Sequence, residues 1–186
     1  VRTVTSIKGL SIGPIDFLKL TTEHPEVSGF LTALVGTKLK EGAGIRSVGK
    51  YKILRQLGAG AAATVIEATH PELGTNVALT MLSHALVAHP GFSSHFAREG
   101  KTAAQLEHPN IVRIMDTERA YGTLFIVMER LYGEVLSEVM ENGKAIPPRK
   151  VRIILMDCLR ALSYTHKAGL VHRDIKPSNL FLTQDG

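Results

Sequence analysis

Cysteine is almost absent from this 186-residue sequence, which contains only Cys158. One cysteine cannot form a disulfide within the chain, and its position on the apolar side of a predicted helix indicates a small core residue in a reducing compartment. Eight histidines are present, but none shows H-x-x-x-H spacing or a cysteine partner. The sequence therefore gives no support for a zinc site.

Long apolar runs are also missing. No run approaches the roughly 18 residues of a membrane span, and no signal peptide, repeat or low-complexity tract is visible. The hydrophobic fraction of 44% and the charged fraction of 21% are close to globular averages. These features are consistent with a soluble intracellular protein, and we expect a cytoplasmic location with no membrane span in this segment.

A basic stripe interleaved with aromatic side chains is absent too. The net charge is +5, but the Lys and Arg residues are scattered along the chain. We therefore expect no nucleic-acid partner.

The most informative segment that is present runs from His172 to Asn179 and reads H-R-D-I-K-P-S-N. It places a carboxylate, a cation and an amide at fixed offsets in one short loop, which is the arrangement that phosphoryl transfer needs. An apolar segment with helical spacing, 151–164, precedes it. The alternative is a chance tripeptide in a charged turn, although six positions match and not three.

This loop resembles the catalytic loop of protein kinases, in which H-R-D is followed by a downstream Asn. The resemblance implies that Asp174 accepts or orients the proton of the substrate hydroxyl, and that Asn179 ligates a Mg²⁺ ion bridging the ATP phosphates. Lys176 would offset the growing charge on the transferring phosphoryl group. A Lys two residues after the Asp is also similar to the serine/threonine branch of the family.

A glycine-rich loop is the second family-like feature. Residues 57–65 read L-G-A-G-A-A-A-T-V between apolar strands predicted for 51–57 and 64–68. Glycine is favoured in such a loop because backbone amides can approach phosphates without a side chain in the way. The third glycine of the family pattern is Ala63 here, and an ordinary hairpin turn is the alternative.

Two further segments follow the family order. A predicted helix over 96–110 ends in H-P-N and carries Glu99 where the family has its helical Glu; the alternative for Glu99 is a solvated helix charge. The run 124–129 is typical of a buried strand that enters a hinge. By resemblance, Met128 guards the back of the adenine pocket, and backbone groups of Glu129 to Leu131 bond the adenine edge.

The pattern breaks at residues 77–80, which read V-A-L-T where the family has V-A-I-K. Thr80 replaces the Lys that binds the phosphates and pairs with the helical Glu, and no Lys or Arg occurs between Arg55 and Arg98. We expect Glu99 to swing outward into water, since an unpaired buried carboxylate is costly. Two explanations are open. The parent protein is a weak kinase or pseudokinase, or it belongs to an active kinase lineage in which Thr80 is a substitution. The intact catalytic loop favours a kinase with altered phosphate anchoring.

The resemblance implies ATP and Mg²⁺ as cofactors and a protein Ser or Thr hydroxyl as acceptor. It assigns the nucleotide site to Gly58, Gly60, Val65, Ala78, Thr80, Glu99, Met128, Glu129, Leu131, Asn179 and Phe181. No D-F-G, activation segment or A-P-E follows the catalytic loop, and the chain opens on Val1, so both ends look cut. We expect the fragment itself to be inactive and poorly soluble.

The first 41 residues do not follow the kinase pattern. Residues 15–20 lead through H-P-E-V to a predicted amphipathic helix over 27–40, with one face formed by Val27, Phe30, Leu31, Leu34, Val35 and Leu39. This run resembles the end of a cyclic-nucleotide-binding domain of the catabolite-activator type, which implies a cyclic nucleotide as partner of a domain before Val1. The alternative is a helical linker or dimerisation segment.

The sequence thus predicts three parts: the end of a cyclic-nucleotide-binding-like domain over 1–41, a linker over 42–48, and a partial kinase domain over 49–186. The predicted fold class is α+β, a protein-kinase-like two-lobed fold with a five-stranded small lobe and the first helices of the large lobe. The predicted function is a serine/threonine protein kinase that a cyclic nucleotide regulates. A pseudokinase module that binds nucleotide weakly or binds a partner protein is the alternative, because of Thr80.

Overall fold

The computed structural model describes residues 11–41, 44–59, 64–92, 96, 102–141 and 145–184. Three residues of the predicted site region, Gly60, Ala63 and Glu99, lie outside the described residues, as do positions 1–10. The described part is α+β, in agreement with the predicted fold class.

The elements follow one another from an N-terminal helical pair through a sheet to a helical region. In chain order they are α1 (Pro14–Glu23), α2 (Pro25–Glu41), β1 (Ser47–Val48), β2 (Tyr51–Ala59), β3 (Thr64–Thr69), β4 (Asn76–Met81), α3 (His84–Ala88), β5 (Ile114–Ala120), β6 (Thr123–Glu129), β7 (Gly133–Val135), α4 (Leu136–Glu141), α5 (Pro148–Lys167), a 3-10 helix (Pro177–Asn179) and β8 (Phe181–Thr183).

The main sheet is antiparallel and has the strand order β1-β2-β3-β4-β6-β5. Five of these strands match the predicted small lobe, and the two-residue strand β1 adds a sixth at the edge. Strands β7 and β8 form a separate two-stranded sheet. The strands predicted for 51–57, 64–68 and 124–129 are confirmed, each with bounds one or two residues longer.

The hydrophobic core lies against one face of the main sheet, because alternate residues of a strand point to the same side. The buried residues that β3, β4 and β6 contribute are Ile66, Ala68, Val77, Leu79, Met81, Phe125 and Val127. The residues between them, which include Val65, Ala78, Thr80 and Met128, share the opposite face. Four residues of the predicted nucleotide site are therefore on one side of the sheet, away from the core.

Helix α2 packs on the core face. Its Leu39 is buried and belongs to the core cluster, and Val35 packs against that cluster. The predicted helix over 27–40 is confirmed and begins at Pro25, whose fixed φ suits a first turn. The predicted apolar face is wrong in part, because Phe30 and Leu34 are 65% and 41% exposed.

The buried side of α2 is partly polar, and this is the reason for the difference. The Ser28 hydroxyl is buried and donates to the carbonyl of Thr21 at 2.7 Å. Thr32 Oγ1 lies 2.8 Å from Nδ1 of the buried His84 and accepts from the backbone N–H of His84 at 3.0 Å. These hydroxyls tolerate burial because α1 and α3 supply their hydrogen-bond partners.

The domain boundaries at 41 and 48 stay predictions.

The predicted apolar helix over 151–164 is confirmed and longer, as α5. None of its residues is fully buried. Cys158, predicted to be a core residue, is therefore only half-buried, and this prediction was wrong; burial still raises the pKa of its thiol. Within the described ranges, no helix is long and apolar enough to cross a membrane.

The helix predicted over 96–110 ends earlier than expected. Residues 102–104 are helical, and the chain has left the helix by Leu106, which is buried. Pro109 keeps His108 out of helical geometry, because the residue that precedes a proline is disfavoured there. The H-P-N segment instead packs on α5, with the rings of His108 and Tyr164 at a centroid distance of 5.2 Å.

Candidate active site

Asp174 is the centre of a small hydrogen-bonded cluster in the loop that follows α5. Lys176 Nζ lies 2.9 Å from Asp174 Oδ2. Asn179 donates through Nδ2 to the same carboxylate oxygen at 3.0 Å and to the Asp174 carbonyl at 2.8 Å. The 3-10 helix places Asn179, because its first residue is Pro177 and proline suits an initial turn. The structure therefore brings together the three residues predicted from the H-R-D segment.

The backbone beside this cluster adopts an uncommon conformation. Arg173 has a φ of 63°, in the left-handed region that residues other than glycine seldom occupy. The backbone N–H of Asp174 donates to His172 Nδ1 at 3.3 Å. Residues held in such geometry cluster at functional sites, where the surrounding structure fixes them.

The Asp174 carboxylate is exposed and favours its ionised form. The hydrogen bond from Lys176 lowers its pKa, with a smaller contribution from Asn179. A carboxylate with a lowered pKa is an acceptor at neutral pH, which is the state that orients a hydroxyl proton. Lys176, whose Nζ lies 2.9 Å from Asp174 Oδ2, supplies a positive charge beside the place where such a hydroxyl would lie.

The end of the hinge pairs with the strand that leaves this loop. β7 and β8 are antiparallel, with Gly133 opposite Thr183 and Val135 opposite Phe181. Gly133 has a φ of 148°, and a Cβ there would collide with the Leu182 carbonyl, so only glycine permits this approach. The pairing brings Phe181, a predicted nucleotide-site residue, alongside the hinge.

The hinge itself starts at the end of β6. The backbone N–H of Glu129 donates to the Arg113 carbonyl at 3.0 Å, and its side chain accepts from the Arg113 N–H at 2.7 Å. An adenine contact by Glu129 would therefore use its carbonyl oxygen. Met128 and Leu131 are both half-buried in this region.

Two rows of residues cross the sheet on the predicted nucleotide face. Val65, Thr80 and Ile126 are aligned in one row. Glu67, Ala78 and Met128 form the next row. Gly58, near the end of β2 and opposite Val65, is exposed, with open space where a side chain would lie. The described residues thus place Gly58, Val65, Ala78, Thr80 and Met128 on a common surface.

Sequence reasoning missed Glu67. It lies in the run T-V-I-E-A of a strand, and its side chain is only 4% exposed. One charged residue within an otherwise apolar strand was the available signal, because buried charges are rare unless paired. Arg55, Asn76 and Arg130 are its partners.

Metal binding at this site has one candidate ligand in the described part of the chain. Asn179 uses Nδ2 for both of its hydrogen bonds, so its carbonyl oxygen Oδ1 is the atom that suits Mg²⁺, which prefers oxygen ligands. Among the described residues, no group of three or more His, Cys, Asp or Glu side chains could hold a metal ion. The donor set fits a shared site, in which substrate phosphates supply further oxygens.

Comparison with known proteins agrees with this arrangement. Residues 51–186 match the family model of the protein kinase domain. The chain is 39% identical over 142 residues to a probable serine/threonine-protein kinase of Streptomyces coelicolor, a match that covers 74% of this chain and 21% of that protein.

Solved structures show the same similarity. The kinase domain of Mycobacterium tuberculosis PknI has a TM-score of 0.69 and 33% identity, over 75% of this chain and 57% of that one. A structure of Rad53 in complex with AMP-PNP has a TM-score of 0.63 and 30% identity, over 73% of this chain and 35% of that one. The chain therefore spans about a fifth of the Streptomyces relative and little more than half of the PknI domain.

The α+β architecture is that of a protein kinase, with a curled sheet followed by helices. The family model covers almost three quarters of the chain, and the relatives that match it are named serine/threonine-protein kinases. On this evidence the chain belongs to the protein kinase domain family.

Proposed function

We propose that the protein carrying this chain is a serine/threonine protein kinase that transfers the γ-phosphoryl group of ATP to a protein hydroxyl. The observation that carries the proposal is the cluster of Asp174, Lys176 and Asn179, in which the carboxylate favours its ionised form. The kinase names of the relatives and the AMP-PNP complex of Rad53 support the choice of ATP as nucleotide.

The chain's own residues account for the proton and for substrate position. Asp174 accepts the proton of the Ser or Thr hydroxyl while the hydroxyl oxygen bonds to the γ-phosphorus and the bond to the ADP oxygen breaks. Lys176 offsets negative charge on the transferring group. Asn179 Oδ1 holds Mg²⁺, which when bound neutralises charge on the ATP phosphates.

The nucleotide is held between the sheet and the β7–β8 pair. Ala78 and Val65 cover the adenine from the sheet side, and Phe181 covers it from the other side. Met128 limits the depth of the pocket, and the backbone between Glu129 and Leu131 bonds the adenine edge. These roles rest on the kinase family and on the common surface that the residues form.

A pseudokinase is the second candidate, and Thr80 is the observation that favours it. Thr80 occupies the strand position of the phosphate-binding Lys, opposite Val65 and Ile126. Loss of one charge-assisted phosphate contact weakens binding by about 1.5–3 kcal/mol, with a larger effect on the transition state. Such a protein would bind nucleotide weakly or bind a partner protein.

Phosphotransfer from labelled ATP by the full-length protein separates the two candidates. We expect activity with Thr80 in place, a rise in activity on Thr80→Lys, and none for Asp174→Asn. Activity only after Thr80→Lys would favour the pseudokinase. Absence of activity in every form, including Thr80→Lys, would contradict the kinase proposal.

Regulation by a cyclic nucleotide, through a domain before Val1, is also part of the proposal, as is a cytoplasmic location. The support is the sequence pattern that leads into α2. Titration of the full-length protein with cAMP and cGMP tests the regulation, and absence of binding to both nucleotides would remove it.

A further inference from the structure

A buried carboxylate, that of Glu67, lies on the nucleotide face of the sheet. Glu67 occupies the same cross-strand row as Ala78 and Met128, and only 4% of its side chain is exposed. Burial of an ionised carboxylate among apolar neighbours is costly unless cations and hydrogen-bond donors surround it. The cations and hydrogen-bond donors around Glu67 are therefore the groups that allow its burial.

Three side chains converge on Glu67. Asn76 donates through Nδ2 to Oε1 at 3.0 Å. Arg55 Nε lies 2.8 Å from Oε2, and Arg130 Nε lies 3.5 Å from Oε1. The two arginines differ in environment, because Arg55 is 63% exposed and Arg130 only 15%. The contact with Arg130 is thus the less solvent-screened of the two ion pairs.

Arg130 connects this carboxylate to the hinge. It directly follows Glu129, and its guanidinium lies over the Tyr132 ring at 4.6 Å. Neither Arg130 Nε nor Glu67 Oε2 makes an aligned hydrogen bond within the described residues, although both atoms are buried. The ion contacts hold Arg130 against Glu67, and the hydrogen bond from Asn76 to Oε1 is a further contact of the carboxylate.

We propose that Glu67 and Arg130 are positioning residues that set the hinge against strand β3 and thereby determine nucleotide affinity. β3 continues from the glycine-rich loop, and Arg130 lies within the hinge segment 129–131 that bonds adenine in the proposed function. One buried ion pair therefore joins the part of the site that covers the phosphates to the part that selects the base. The inference rests on the proposed ATP site.

We expect substitution of either residue to weaken nucleotide binding, and we expect the two substitutions not to be additive. Arg130→Met leaves Glu67 without its buried cation, and Glu67→Gln keeps the shape and the Asn76 contact but removes the charge. We expect each variant to raise the Kd for nucleotide by about tenfold or more. In the double variant the two effects combine to much less than their product, because both changes remove the same contact.

The experiment measures binding of fluorescently labelled ATP with Mg²⁺ to the full-length protein, well below the Tm of each variant. Arg160→Met is the matched control, because Arg160 pairs with Asp157 on α5 at 2.7 Å, outside the proposed site. Arg130→Lys keeps a cation without the planar guanidinium, and we expect an intermediate Kd. This conservative variant keeps the test decisive if Arg130→Met does not fold.

Each outcome supports or contradicts the inference. Coupled weakening in the Glu67 and Arg130 variants, with an unchanged Kd for Arg160→Met, supports it. A lowered Tm with Kd values within about twofold of the unaltered protein contradicts it, because a merely structural pair has that effect. If the unaltered protein binds no nucleotide, the proposed ATP site fails and the inference fails with it.

Discussion

At the residue scale, a buried tyrosine shows how the sheet stabilises its edge. Tyr51 is fully buried, and its hydroxyl donates to Asp116 Oδ2 at 2.8 Å. Lys50 Nζ lies 2.8 Å from the same oxygen. Burial, together with the bond to Asp116, raises the pKa of Tyr51 to about 12. Strand β2 is thereby connected to β5 at the far edge of the sheet.

We predict a loss of stability in the alkaline range that depends on Tyr51. Its folded-state pKa of about 12 exceeds the unfolded value of about 10, so the unfolded chain loses this proton first as pH rises. The contribution is complete below about pH 10 and disappears between about pH 10 and 12. Tyr51→Phe should reduce this fall in the free energy of unfolding, measured by denaturant titration at several pH values.

Tyr121→Phe is the control, because Tyr121 is partly exposed and its hydroxyl bonds the Ser47 carbonyl. An identical alkaline fall in the unaltered protein and in Tyr51→Phe would contradict the assignment.

The contact between Thr32 and His84 gives a second prediction at this scale. His84 Nε2 lies 2.8 Å from the Tyr121 carbonyl, which can only accept, so in a neutral ring Nε2 carries the proton and Nδ1 is an acceptor. The one proton of the Thr32 hydroxyl has two acceptors within reach, His84 Nδ1 at 2.8 Å and the Ser28 carbonyl at 2.9 Å. Thr32→Val removes the hydroxyl that contacts both Nδ1 and the backbone N–H of the buried His84. We expect a loss of about 1–3 kcal/mol in the free energy of unfolding.

The matched control for this substitution is Thr37→Val, on the exposed side of the same helix. Both changes have the same effect on helix propensity, so only the buried contact differs. Equal Tm values for the two variants would show that the Thr32 hydroxyl does not stabilise the protein.

At the element scale, α2 fits closely against the sheet through one small residue. A Cβ at Gly36 would lie 3.3 Å from Thr64 Oγ1 and 3.9 Å from Met81 Cε, whereas a Cβ at Gly29 meets nothing within 4 Å. The two glycines belong to the same helix and differ in what they face. The same substitution at Gly29 and at Gly36 therefore distinguishes an effect on helix propensity from an effect on packing.

We predict opposite results for leucine at these two positions. Gly36→Leu forces α2 away from Thr64 and should destabilise the protein by about 1–3 kcal/mol. Gly29→Leu should be neutral or stabilising, because glycine is a poor helix former. Denaturant unfolding measures both, and equal stabilities would contradict the packing of α2 on the sheet.

The elements show where sequence reasoning succeeds and where it stops. Strands β2, β3 and β6 follow from their apolar pattern, and the Asp174 loop follows from its motif, since both are local signals. The apolar face of α2 was predicted wrongly in part, because apolar periodicity favours burial of Phe30, which is exposed. The partners that bury Ser28 and Thr32 belong to other elements, and His84 is 52 residues from Thr32. Glu67 was missed for the same reason, since Arg130 contacts it from the hinge.

At the scale of the whole molecule, α5 presents an apolar surface to solvent. Its exposed members are Val151, Ile153, Leu155, Met156 and Leu159. Contiguous exposed apolar surface of this kind favours association between molecules. Poor solubility stays a prediction, and we expect this surface of α5 to be where the molecules associate.

We predict that Leu155→Lys combined with Leu159→Lys increases the monomeric fraction of this 186-residue chain without lowering its Tm. Both side chains are exposed, so their replacement removes apolar surface and creates no cavity. Sedimentation velocity measures the monomeric fraction. An unchanged monomeric fraction would show that the molecules do not associate through this surface of α5.

The central claim is that Asp174 is the proton acceptor of a kinase site, and phosphotransfer by the full-length protein with one carboxylate removed tests it most directly. Asp174→Asn should abolish incorporation of labelled phosphate into a protein substrate. Asp157→Asn, which removes a half-buried carboxylate paired with Arg160 on α5, should retain it. Equal incorporation by these two variants would contradict the account.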